Sequence, residues 1–525
     1  MVTNTGNWTG GAISSGNLTI PVGSTLIVSG SADHDMNSQS LVNNGTVLWT
    51  GGRIRTGGPG DITNVGAWQD QANSEVNRYF GGGFTSFINL GTYTKSGTGT
   101  TTFYSVALDN SGTMNIQAGT LEVTAGGTNS ATGIFTAQAP ATINFSRATI
   151  TSRNGFLFSD GSQLTGTGTV NLVSGTNTLT GTISIQNLNL TGGTNTLSGP
   201  ISAPNLNLTG GTLAGTQTIT GAFNWSGGNM NSAGTTTIAS GSTLTISTVG
   251  FDHDMNTHSL INNGTVLWTA GRIRTGSGDI TNANIWQDQA NSEVNRDFGG
   301  GFTSFINLGT YTKSGTAGTT TFNSVSLDNP GTIEVQSGTL QLNWSVVQLP
   351  GSTLTGGTWR VFANSSLNIT TGANITTNQG SVTLDGAGSL FPRIDTLATN
   401  ALGGSFTIKN GRNFTTVGDF TNNGTLGVGS GSIFTVTGNY TQGSGGTLEV
   451  QIGGPPASGQ FGQLAVTGTA RLAGTLTVSL IDPFMPDPGD GFAFMTFASA
   501  TGTCSVNLPL GASLEMNSTN WTVRF

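Results

Sequence analysis

Charge is what this chain most lacks. Lys and Arg together number 16 and Asp and Glu 24 among 525 residues, so charged side chains make up 8% of the total, far below the usual quarter. The balance of −8 argues against a nucleic-acid partner, which requires a basic stripe. Cysteine occurs once, at Cys504, so no intramolecular disulfide can form. No run of about 18 or more apolar residues is present, so no segment reads as a transmembrane helix. The opening residues MVTNTGNWTGG have neither the basic nor the apolar region of a secretion signal. An exported chain is therefore expected to have lost its signal, or to carry it beyond these residues. Helical periodicity is missing as well.

What remains is glycine, at 83 residues, with much Thr, Ser and Asn. Alternating Val, Leu, Ile and Phe recur throughout, which argues against disorder and for short strands joined at many corners.

The chain repeats itself. DHDMNSQSLVNNGTVLWTGGRIRTG, WQDQANSEVNR, FGGGFTSFINLGTYTKSGT and LDNSGT run from Asp33 to Asp109. They return almost unchanged from Asp252 to Asp328, at an offset that is constant to within one position. Within each copy lies a shorter beat, apolar-x-Asn-x-Gly-x-apolar. Its positions are Gly45, Gly66, Gly91 and Gly112, then Gly264, Asn284, Gly309 and Gly331. Gly and Asn enter left-handed backbone at low cost, so the beat is expected to mark one corner per coil. Between the copies the coil is barest: Asn171, Asn189 and Asn207 recur at equal and shorter intervals.

These spacings predict an all-β fold, a single-stranded parallel β-helix (β-solenoid) of about 18–25 residues per coil. Stacked coils about 4.8 Å apart bury inward apolar side chains at about 1.5–3 kcal/mol each. The solenoid is expected to cover residues 1–451 and to contain the duplicated module at about 31–123 and 250–342. Six of the 14 prolines lie beyond residue 452. Residues 452–525 are therefore expected to form a small β-rich cap or sandwich.

The tail QLAVTGTARLAGTLTVSL, followed by F-x-P-x-x-G-D-x-F and TFASATGT, resembles a segment near the C-terminus of bacterial secreted β-helix proteins of the autotransporter-passenger and filamentous-adhesin type. The Thr-, Gly- and Asn-rich coils resemble the same proteins in composition and rhythm. The resemblance implies an extracellular or cell-surface place and an adhesive or structural role. It carries over no catalytic residue.

The two modules hold 10 and 11 of the 40 charged side chains and all three histidines. One and the same step separates Asp33 from Arg53, Asp35 from Arg55, Asp252 from Arg272 and Asp254 from Arg274. If that step is one coil, each Asp meets an Arg, which predicts a structural ion-pair ladder across coils. Asp-His-Asp does not read as a metal site, because neighbouring side chains alternate faces and no further spaced ligands follow.

WQDQANSEVNR falls in the longest step of the beat, Gly66 to Gly91, and is expected to be a lateral insertion forming one helical turn. Ser74 or Ser292 would be its N-cap, with Glu75 and Arg78 as an i,i+3 pair. Trp68 and Trp286 are expected to pack that turn down. Any ligand site is placed here, on Trp68, Gln69, Asp70, Glu75 and Arg78 and on Trp286, Gln287, Asp288, Glu293 and Arg296. Catalytic residues, metals and cofactors are not expected. Partners would be glycans or cell-surface components.

Two alternatives to a non-catalytic adhesive or scaffold solenoid exist. A carbohydrate-active β-helix, a polysaccharide lyase or hydrolase, would need Asp70, Glu75 and Arg78 to converge in a groove. An ice-binding solenoid would need Thr-x-Thr rows such as Thr100–Thr102 and Thr235–Thr237, and by sequence spacing these do not recur at one coil phase.

Overall fold

The computed structural model describes residues 1–2, 4–13, 15–146 and 153–525. It divides into two compact units, Met1–Thr265 and Val266–Phe525. Both are parallel β-solenoids, and together they hold about 20 turns. No described helix is long and apolar enough to cross a membrane. Two 3-10 turns, Pro392–Ile394 and Pro456–Ser458, are the helical elements among the described residues.

In the first unit a coil consists of three short strands. Thr46–Trp49, Ile54–Gly57 and Ile62–Asn64 make one coil, and Ala67–Asp70, Glu75–Arg78 and Ser86–Asn89 the next. Each strand pairs in parallel with its counterpart one coil away, so Trp68 faces Val47, Val76 faces Ile54 and Phe87 faces Ile62. Side chains alternate along every strand. Val47, Trp49, Ile54, Ile62, Trp68 and Val76 turn inward and are wholly buried. Where the corners shrink, strands fuse. Thr194–Leu208 and Thr212–Trp225 run 15 and 14 residues, the former bent by a register shift between Ser202 and Asn205.

The recurring beat has a different cause from the one its composition suggests. None of Gly45, Gly66, Gly91 and Gly112 adopts a positive φ. At these glycines the coils approach closely, while Asn284 holds the position equivalent to Gly66 in the second module, also without a positive φ. A Cβ would lie 2.1 Å from the Gly45 carbonyl oxygen at Gly66, and 2.2 Å from that of Gly66 at Gly91. The asparagine two positions earlier carries the other half of the motif. Asn43 Nδ2 donates to Asn64 Oδ1, Asn64 to Asn89, Asn89 to Asn110 and Asn110 to Asn129, each at 2.7 Å and all buried. The second unit contains shorter ladders of the same kind, Asn282–Asn307–Asn329 and Asn378–Asn400–Asn422. An amide at each corner thereby offsets the cost of burying its own polar atoms.

Register steps extend beyond the expected range. Asn189 pairs with Asn207, at its short end, whereas Phe434 pairs with Leu464, a longer step than the sequence suggested. The boundary expected near residue 452 does not interrupt the winding. Thr447–Ile452 pairs in parallel with Thr475–Leu480 along its whole length, and Thr469–Leu472 with Ser499–Gly502. The prolines that suggested a separate sandwich lie outside these strands, Pro456 in a 3-10 turn. At the end the strands pair antiparallel: Asn520–Arg524 lies between Gly491–Thr496 and Ser513–Met516.

Candidate functional site

Asp33, Asp35, Arg53, Arg55 and Glu75 of the first module gather on one outward sheet face. In His34–Asn37, His34 and Met36 point inward, so Asp33 and Asp35 point out; Ile54 does the same for Arg53 and Arg55. Register sets Asp35 against Arg55. Arg55 donates twice to Asp35, at 2.7 and 2.8 Å, and reaches Asp33 at 3.0 Å. Arg53 donates twice to Asp33 at 3.1 Å and once to Glu75 Oε1 at 3.1 Å. The Arg53 hydrogen bonds hold the Asp33 carboxyl below the ordinary carboxylate range. Paired bidentate geometry of this kind orders the face, although solvent screening leaves such partly exposed pairs little net stabilisation.

The expected helical turn is absent. Glu75–Arg78 and Glu293–Arg296 are strands, continuous with the sheet through Ile54 and Ile273. Sheet pairing on both sides outweighs the weak local preference for a turn. Glu75 and Arg78 therefore do not pair. Glu75 accepts from Arg53 and from Asn77 Nδ2, while Arg78 donates to the carbonyls of Gly82 and Gly83 and lies 4.9 Å from the Phe84 ring centre. The insertion lies elsewhere too. The register step from Val47 to Trp68 is nearly the same as that from Ile54 to Val76, and the step from Ile62 to Phe87 is longer than both. Most of the extra length thus falls in the corner 79–85, not in WQDQANSEVNR.

Trp68, Asp70, Trp286 and Asp288 are fully buried, so they cannot meet a ligand at the surface as expected. Trp68 stands edge-on to Phe87 at 5.1 Å, and Trp286 to Phe305 at 5.0 Å; both are core. Asp70 accepts from Tyr93 Oη at 2.6 Å and from the Ala72 amide at 3.0 Å. Asp288 repeats this with Tyr311 at 2.7 Å and Ala290 at 3.0 Å. Lys95 and Lys313, also fully buried, are the register partners of these aspartates one coil on. Burial lowers the pKa of both lysines, against the pull of the aspartates. Gln69 and Gln287 are exposed. Asp70, Glu75 and Arg78 thus point in three directions and form no groove.

In the second module Arg272 pairs with Glu293 at 3.1 Å and Arg274 with Asp297 at 2.9 Å. Arg296 donates to the Gly301 carbonyl and lies 5.4 Å from the Phe302 ring centre. Asp252 and Asp254 belong to the strand Asp252–Met255 of the first unit.

The histidines are structural neighbours of the face. His34 Nε2 is 2.9 Å from the Trp8 carbonyl, and His258 bonds Ser232 and Thr236. Threonine alignment was also hidden from the sequence. Thr100, Thr120, Thr142 and Thr169 share one column although the steps between them are unequal. The adjacent column is Thr102, Glu122, Asn144 and Asn171, so paired Thr-x-Thr rungs do not continue down the sheet. Sequence reading passed over Tyr93 and Lys95, whose alternation T-Y-T-K signals two inward polar residues, and the exposed Tyr79 and Tyr104. No protein-family model matches this chain, and no curated protein sequence matches it.

Proposed function

We propose that this chain is an extracellular or cell-surface β-solenoid with an adhesive or scaffold role, non-catalytic, whose partners are glycans or other surface components. One observation carries the reading: the carboxylates of the first module's outward face are each held by an arginine, whereas the trio needed for polysaccharide cleavage is dispersed. An acid–base enzyme needs a carboxyl free to move a proton near neutral pH; Asp33 is held ionised instead. The resemblance of the tail to secreted repeat proteins supports the extracellular placement.

The test is retention of protein-coated beads on cell and polysaccharide surfaces, run beside an assay for reducing ends and unsaturated products. Retention without product formation supports the adhesive reading. Sustained product formation overturns the non-catalytic one.

A further inference from the structure

The duplication supplies an internal comparison. Inside, the modules coincide: Trp68 matches Trp286, Phe87 Phe305, Tyr93 Tyr311 and Lys95 Lys313. Outside they part. Tyr79 of the first module is Asp297 in the second, and Tyr104 is Asn323. Tyr79 is 56% exposed and Tyr104 50%, so the difference is not forced by packing.

Both tyrosines flank the charged face. Tyr79 directly follows the strand Glu75–Arg78, and Tyr104 is the register partner of Asn77, itself the partner of Arg55. The Arg55 guanidinium lies 4.3 Å from the Tyr79 ring centre, fixing one side of that ring. Asn77 is 7% exposed, and its Oδ1 is buried without a hydrogen-bond donor among the described residues. Asn295 Oδ1 in the second module is buried and unfilled in the same way, so the two exposed rings are what set the first module apart.

We propose that this face of the first module binds a neutral polysaccharide of pyranoses with equatorial hydroxyls, and that the second module does not. Such a sugar turns a flat array of C–H groups toward an aromatic ring and its hydroxyls toward the edge. Tyr79 and Tyr104 are the stacking platforms. Asp33, Glu75 and Arg53, each about one-third exposed, are the hydrogen-bonding border. Neutrality of the ligand follows from charge. Arg53 and Arg55 are engaged by Asp33, Asp35 and Glu75, and Arg78 by two carbonyls, so a uronate or sulfate finds no uncommitted arginine on this face.

This inference rests on the adhesive reading and names its ligand class. The experiment is native affinity electrophoresis of the full chain in gels containing hydroxyethylcellulose or glucomannan, with alginate as the acidic comparison. Tyr79→Asp combined with Tyr104→Asn gives the first module the residues that the second carries naturally, so the fold tolerates them. Wild type is expected to be retarded in the neutral gels, and the double variant to lose about tenfold or more in apparent affinity with unchanged circular dichroism. Asp297→Tyr with Asn323→Tyr should strengthen retardation.

Retardation in alginate alone, none in the neutral gels, or retardation unchanged in the double variant would each overturn the proposal. Beads of the double variant that still adhere would leave the adhesive reading standing without this site. Wild type that is retarded in gels, yet whose beads do not adhere, would leave the site standing without adhesion.

Discussion

Tyr93 donates its hydroxyl to Asp70 Oδ2 at 2.6 Å, with both side chains wholly inside the coil stack. Tyr311 and Asp288 repeat the contact at 2.7 Å. A carboxylate shut away from water needs donors of its own, because an unsatisfied one costs more than any packing around it returns. Each aspartate has two such donors and a buried lysine one coil away.

Tyr93→Phe keeps the ring against Phe87 and removes only the donor. The expected loss is about 1–3 kcal/mol, seen as a lower urea midpoint with the far-ultraviolet β signal retained. An unchanged midpoint would mean that Asp70 is served adequately by the Ala72 amide alone.

Burial raises the Asp288 pKa above its ordinary value of 3.8, with Lys313 and hydrogen bonds opposing in part. The folded state therefore holds this proton to higher pH than the unfolded chain does. Its contribution to stability is greatest below 3.8 and is lost as pH rises through the raised folded value. Relative to Asp288→Asn, the wild type should thus gain stability as pH falls toward that limit. Urea midpoints for both proteins across the acid range check it, and a difference independent of pH would refute it.

Asn89 receives a hydrogen bond from Asn64 and gives one to Asn110, each at 2.7 Å. Asn89→Leu strands a buried donor above and a buried acceptor below. A cost of about 2–4 kcal/mol is expected, measured by thermal or urea unfolding. Asn89→Asp should be worse at neutral pH, since it buries a charge while removing the donor.

Gly91→Ala would place a methyl 2.2 Å from the Gly66 carbonyl oxygen and 2.3 Å from that of Val65. Spreading the coils should cost about 1–3 kcal/mol or more. At Gly418 a Cβ meets nothing within 4 Å and the φ is not positive, so Gly418→Ala should leave stability equal or slightly higher. Equal effects at both sites would show that coil contact is not what selects glycine.

Much of this could be read directly from residue order. The step from Asp35 to Arg55 is the register step that sets them opposite one another. Alternation in T-Y-T-K and the Asn-x-Gly beat likewise carry the period of a strand and of a coil. What failed was anything that depended on which side of a coil the extra residues fall. Glu75–Arg78 reads as a helical turn because its own residues permit one; sheet pairing with both neighbouring coils decides otherwise. The long step from Gly66 to Gly91 reveals that a corner is enlarged, and only the register shows that the corner is 79–85.

The sequence by itself determined that the chain winds, how often, and that one module occurs twice, because a repeating strand must repeat its inward side chains to bury them. Tertiary structure alone decided that Trp68 and Asp70 are core while Tyr79 and Tyr104 face solvent, and that the corner glycines answer to carbonyls of the preceding coil. Those are properties of neighbours a whole coil away along the chain, and no stretch of sequence carries its neighbour's position.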